Sequence, residues 1–164
     1  MTDEQFMVFA LELADRAASL GEVPVGAVVV QGDKIVGRGH NRQITDSDPS
    51  AHAEVIAMRA AAANIGNYRL PGAVLYSTLE PCTMCLGASV HARVARIVFG
   101  APEPRAGAID LLLKEAQPGK RFNHIPDVTS GCLATECGDR LIHFFRDRRE
   151  AQSASSHGDS SLES

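Results

Sequence analysis

The chain has 164 residues, 45% of them hydrophobic, which is enough apolar material for one sizeable core and too little length for two ordinary domains. Its formal charge of -4 excludes a general affinity for nucleic acid or anionic membrane and leaves only local contacts with a polyanion. No run of about 18 uncharged apolar residues is present, and the start "MTDEQF" carries acid where a secretory signal carries base. The expectation is therefore a soluble cytoplasmic protein, with no membrane partner, whose four cysteines are thiols or metal ligands rather than disulfides.

Thr2 or Asp3 can cap a first helix with apolar positions at Phe6, Phe9, Ala10, Leu13, Ala14 and Ala17, stopped by Gly21. Val25 to Val30 reads as a strand, and Gly32-Asp33 turns it into a second from Lys34 to Asn41. A helix opened by Ser50 runs to about Asn64, ahead of Gly66. Ala73 to Leu79 is a third strand, Cys82 to Val94 a third helix entered after Pro81, and Ala95 to Ala101 a fourth strand. Strands separated by helices predict an α/β fold with a largely parallel, buried sheet. Pro102 to Asn123, with its prolines, glycines and the patch "IDLLL", reads as a functional loop holding one helical turn. Ile125 to Thr129 is a candidate fifth strand, and Leu133 to Glu150 a final helix ending in a basic turn. These divisions predict one domain over 1–150 and a disordered serine-rich tail over 151–164.

Pro81 sets Cys82 and Cys85 three residues apart in the first turn of a helix, where the dipole favours thiolate, the form that binds metal. A CxxC alone is equally a redox pair or two buried thiols. His52, at the mouth of another helix, supplies a third ligand, and three protein ligands leave the fourth position of a tetrahedral zinc open for water. His40, His91, His124, His143, Cys132 and Cys137 offer no obvious fourth; Cys132 and Cys137, five apart, read as inert free thiols. Glu54 shares no mid-helix face with His52, yet at a helix mouth both can reach a metal near the axis, with Ser50 capping the same turn. Glu54 is then placed to take a proton from water and return it to a leaving group.

"HAE" at His52–Glu54 followed by "PCTMC" at Pro81–Cys85 resembles the HxE and PCxxC signature of zinc nucleobase deaminases. "EVPVGAVVV", "GHNR", "DPSAHAE", "NYRL", "LYSTLEPCTMCLGA", "ARIVFGA", "FNH" and "FFRDRR" extend the resemblance to the bacterial tRNA adenosine deaminases, over all but the tail. The resemblance implies a three-layer α/β/α cytidine-deaminase-like fold with a central mixed five-stranded sheet, a homodimer, and conversion of adenosine to inosine at the wobble position of a tRNA anticodon stem-loop. It makes His52, Cys82 and Cys85 the zinc ligands and Glu54 the proton shuttle. It puts Asn41 and the backbone beside Ala53 against the flipped nucleoside, Asn123 against the loop, and Phe145, Arg146 and Arg149 near the RNA. Glu103, between two prolines, stands where that family has aspartate, and the longer side chain on a stiffer backbone moves the carboxylate. Two alternatives remain at this point: a free-base or nucleoside deaminase, for example of guanine, and a non-catalytic module with a structural zinc. In the second, Glu54 would be a buried charge in want of a partner.

Overall fold

The computed structural model describes residues 1–115 and 121–158. The elements run α1 (Asp3–Ser19), β1 (Gly26–Gln31), β2 (Lys34–His40), α2 (Ala53–Ile65), β3 (Val74–Leu79), α3 (Thr83–His91), β4 (Arg96–Ala101), α4 (Ile109–Glu115), β5 (Asp127–Thr129) and α5 (Ala134–Gly158). Thr2 caps α1 through a reciprocal box: its Oγ1 accepts from the Gln5 amide at 3.2 Å, and Gln5 Oε1 accepts from the Thr2 amide at 2.8 Å.

The sheet has the order β2-β1-β3-β4-β5. β1 runs antiparallel to both β2 and β3, whereas β3, β4 and β5 are parallel. The sheet is thus mixed rather than largely parallel, because the Gly32-Asp33 turn folds β2 back on β1; α2 crosses over from β2 to β3 on one face of that half while α1 covers the other. Asp33 adopts the left-handed conformation this tight turn demands, with φ 61°.

Side chains alternate across the sheet and build two cores. Ala27, Val29, Leu75 and Ile97 meet α2, α3 and α4 on one face, and Val28, Val30, Tyr76 and Val98 meet α1 and α5 on the other. Three layers result, with about 1.5 to 3 kcal/mol for each fully buried Leu, Ile or Val. α2 sits so close on β2 that a Cβ on Gly39 would lie 2.3 Å from the Ala53 carbonyl oxygen. α4 is two turns, longer than the single turn expected. α5 continues past Glu150 to Gly158, so residues 151–158 extend the helix instead of beginning a tail, and 159–164 lie outside the described residues.

Candidate active site

Two helix mouths open beyond the carboxyl end of β3. His52 is the N-cap of α2 and Cys82 the N-cap of α3; both have extended backbone, and neither spends its side chain on its own helix. Their imidazole and thiol are therefore free to face each other. α2 is capped from another element: Asn41, buried just past β2, accepts the Ala53 amide on Oδ1 at 2.9 Å. Ser50, the expected cap, is not used so. The extended backbone at His52 leaves it outside the first turn, and its N–H and hydroxyl each donate to Asp48 Oδ1 at 2.8 Å.

His52 Nδ1 lies 3.6 Å from Cys82 Sγ and 3.5 Å from Cys85 Sγ, and the two sulfurs are 3.7 Å apart. A tetrahedral ion with Zn–S of about 2.3 Å and Zn–N of about 2.0 to 2.1 Å spans S···S edges of about 3.8 Å and S···N edges of about 3.6 Å. The three donors thus form a triangle of the size zinc requires. Among the described residues no other group of three or more His, Cys, Asp and Glu side chains brings its ligand atoms within 4.8 Å of one another. Cys132 and Cys137 are free thiols, pushed up to about 11 and about 12 chiefly by burial.

The charges suit a cation. Hydrogen bonds from Cys85 and then from His52 pull the Cys82 thiol down to about 3, so it is thiolate. Cys85 moves up, because it donates to Cys82 and is itself buried. The Cys82 hydrogen bond raises His52 against the opposing effect of burial. Each group would release its remaining proton on taking up a metal.

Glu54 is 4% exposed, and that burial raises its carboxyl above the usual range against the pull of its own amide and of His52. The Ser77 hydroxyl lies 3.1 Å from Glu54 Oε1 and 2.8 Å from the Leu79 carbonyl, so one proton is shared between two acceptors. Asn41, His52, Glu54, Cys82 and Glu103 line one cleft of about 210 Å³, with Val25 and Leu79 as its apolar wall. A larger depression of about 550 Å³ lies between α1 and α5 and contains none of these groups. The imidazole, the Cys82 thiol and the buried carboxylate all line the smaller space.

Sequence reasoning missed several residues that shape this cleft. Glu80 accepts from the Glu103 amide at 3.3 Å and the Ile109 amide at 3.4 Å, while Gly107 bridges to Cys82; the loop after β4 is thereby fastened over the thiol turn. The signal for Glu80 was a carboxylate closing an apolar strand next to the cysteine motif. Ser77 and Glu22 gave no signal, since single polar residues in buried runs are ordinary. Glu103 Oε1 is occupied by the Arg105 amide at 3.0 Å. The Ala53 amide is spent on Asn41, so it is not a free donor in the cleft.

The residues expected at RNA stand apart from the cleft lining. Asn123 is exposed and accepts from Arg93 Nη1 at 3.3 Å. Phe145 packs edge-on to Phe144, ring centroids 5.5 Å apart, and remains 41% exposed. Arg146 Nε is 3.6 Å from Asp147, and Arg149 lies along a shallow stretch of α5 with Ser153 and Ser156.

An α/β/α sandwich that presents an imidazole, two thiols and a buried carboxylate around one cleft defines the class of metal-dependent hydrolytic enzymes. Within it, this chain belongs to the cytidine and deoxycytidylate deaminase family, whose zinc-binding region matches residues 1–101. The tRNA-specific adenosine deaminase of Haemophilus influenzae is 52% identical over 157 residues, covering 90% of this chain and 86% of that protein. A structure from studies of A-to-I editing by tRNA:A34 deaminases at the wobble position superposes with a TM-score of 0.78 at 42% identity, over 84% of this chain and 99% of that one. The guanine deaminase of Bacillus subtilis superposes with a TM-score of 0.62 at 36% identity, over 77% of this chain and 83% of that one.

Proposed function

We propose that this deaminase hydrolyses adenosine to inosine at the wobble position of a tRNA anticodon, with zinc held by His52, Cys82 and Cys85 and with Glu54 carrying the proton. The observation that carries the reading is the zinc-sized triangle of donors beside a buried carboxylate in one cleft. Zinc, when bound, supplies the Lewis acidity that makes water nucleophilic near neutral pH. The chain's own part is proton management. A new C–O bond forms at adenine C6; one proton of the water goes to N1 and the other, through Glu54, to the amino group, which leaves as ammonia when the C–N bond breaks. Burial raises Glu54, which lets it hold a proton between the two transfers, and Ser77 keeps Oε1 in place.

Asn41 has its carbonyl oxygen on Ala53, so its amide nitrogen is the atom that meets the base, and the backbone beside Ala53 supplies only orientation. Glu103, with Oε1 on the Arg105 amide, reaches the neighbouring nucleotide through its other carboxylate oxygen. Asn123, Phe145, Arg146 and Arg149 act beyond the cleft, on the loop and its phosphates. In support, Val23 and Val25 line the cleft while Gly21 and Pro24 line the depression beside Phe144 and Arg148, so one short strip separates the cleft from α5. An unstacked loop can cross it. The enzyme acts as a cytoplasmic homodimer; the apolar groove of Val55, Met58, Ala88 and Ala92 between α2 and α3, with Tyr68 68% exposed beside it, supports that association. Among the described residues no helix is long and apolar enough to cross a membrane.

The likeness to a guanine deaminase makes free guanine the second reading. Inosine and ammonia formation measured on whole tRNA, an anticodon stem-loop, adenosine, cytosine and guanine separates them. Turnover on the two RNAs and none on the bases supports the proposal. Efficient turnover of guanine with an inert stem-loop transfers the chemistry to the rival.

A further inference from the structure

We propose that Glu22 is a positioning residue: through Ile44 and Thr45 it holds the segment 41–48 as one wall of the cleft and thereby sets the affinity for the substrate base. Glu22 is 1% exposed and follows α1 directly, its amide donating to the Ala17 carbonyl at 3.0 Å. Its carboxylate makes no ion pair within 4.0 Å among the described residues. Instead Oε1 accepts the Ile44 amide at 3.1 Å, and Oε2 accepts the Thr45 amide at 2.7 Å and the Thr45 hydroxyl at 2.6 Å. A carboxylate buried so deeply persists as an anion only where hydrogen bonds replace its water. Burial alone would raise its pKa, but the Thr45 and Ile44 bonds with the nearby Arg42 outweigh it and the net direction is down.

The clamp lies between the two sides of the cleft without touching the cleft itself. Val23, next to Glu22, and Val25, beyond Pro24, form part of its wall, and Gln43, adjoining Ile44, forms another. Asn41 starts the clamped segment, with its amide on the Val25 carbonyl at 3.1 Å, and the Arg42 amide returns to the Ala51 carbonyl at 3.0 Å, just ahead of His52. Freeing Ile44 and Thr45 therefore loosens the support under Asn41 and Gln43, while the cysteine side of the site, on α3, is untouched. Catalysis and base binding separate: the wall governs KM, whereas Glu54 governs kcat.

This inference rests on the nucleobase assignment, and the experiment keeps the two apart. Glu22→Gln turns one acceptor into a donor facing a donor, and Thr45→Val, at an exposed position, removes only the hydroxyl bond. Steady-state kinetics on an anticodon stem-loop should show KM raised about tenfold or more in Glu22→Gln and a few-fold in Thr45→Val, with kcat within about threefold and zinc content unchanged. The double variant should be no worse than Glu22→Gln, and Thr45→Ser should restore wild-type KM. Hydrogen exchange at the Ile44 and Thr45 amides, read on folded protein, should quicken by at least about tenfold in Thr45→Val. Unchanged KM and unchanged exchange in Thr45→Val overturn the clamp, as does a loss of kcat that merely follows the folded fraction. Wild-type protein inactive on the stem-loop overturns the functional reading, and exchange then decides the clamp alone.

Discussion

At the scale of single residues, His52, Cys82, Cys85 and Glu54 sit at the mouths of two helices, and the different tasks proposed for them should make them fail differently. Cys82→Ala removes one corner of the triangle and the thiolate with it, so zinc measured by elemental analysis and turnover should disappear together. Glu54→Gln keeps shape and the Ser77 contact while removing the base. Zinc should stay, and kcat should fall by roughly 10² to 10⁴, the usual contribution of acid/base catalysis. Loss of zinc in this variant would show that Glu54 is a ligand and that its role is misassigned. These residues were legible in the sequence because their chemistry dictates type and spacing: a thiol pair one turn apart, a histidine at a helix start, a carboxylate two positions on. Glu22, Ser77 and Glu80 were not, because their partners are backbone amides and side chains brought near by tertiary structure. Asn41 was named through resemblance, but its work as the cap of α2 lies in a contact twelve residues away in sequence.

At the scale of elements, glycines fix how near the helices approach the sheet, Gly37 and Gly39 under α2 and Gly26 under α1. A Cβ at Gly39 would lie 2.3 Å from the Ala53 carbonyl oxygen and 2.7 Å from the Ala57 nitrogen, directly under the start of α2. One at Gly26 would lie 2.0 Å from the Ala10 carbonyl oxygen, under α1 in the other layer. Each substitution to Ala should destabilise by about 1 to 3 kcal/mol, as overpacking does. The pair separates fold from site. Gly39→Ala should also weaken zinc retention against a competing chelator, because it displaces the helix that carries His52, whereas folded Gly26→Ala should retain zinc as the parent does. Equal zinc retention in both would mean that α2 is not positioned through Gly39. Helix and strand identities followed from periodicity and from turn residues such as Gly32, Asp33 and Gly66. The antiparallel half of the sheet did not, since alternation of strands and helices does not reveal which neighbour a hairpin takes. Nor did the length of α5: Gln152 to Ser156 carry no apolar stripe, and Ser and His side chains there bond back to the helix itself.

Across the whole molecule, charge holds the loop beside the cleft, ties Arg96 of β4 and Arg140 of α5 to Asp3 and Asp15 of α1, and toward the end of α5 faces outward. The loop's two aspartates and the Glu22 that clamps it all lie below their ordinary values. Asp46 is held down by Arg42, Asp48 by Ser50, and Glu22 by Thr45 against its burial. For a depressed carboxyl the stabilisation is present above the unfolded-state value and is lost as pH falls through the folded value. These three carboxyls should therefore leave melting temperature unaffected above about pH 5 and lower it below about pH 4, the ordinary carboxylate range, where the raised Glu54 and His52 are protonated in both states and add no further change. A melting temperature that rises as pH falls below about 4 would contradict these directions. On α5, Arg146 and Arg149 are the proposed phosphate contacts, with Asp147 3.6 Å from Arg146. Replacing both by alanine should weaken stem-loop binding and flatten its salt dependence, each lost contact removing up to about 0.7 from the slope, with zinc unchanged.

The central claim, hydrolytic deamination of adenosine in RNA by this cleft, meets its most direct test in oxygen-18 water. A synthetic anticodon stem-loop with adenosine at the wobble position is incubated with the zinc-loaded enzyme, and the product nucleoside is analysed by mass spectrometry. The account predicts inosine carrying the solvent oxygen at C6, released with ammonia, and almost none from Glu54→Gln over the same time. Inosine without the heavy oxygen, undiminished product from Glu54→Gln, or an unchanged wobble adenosine beside deaminated guanine would contradict it.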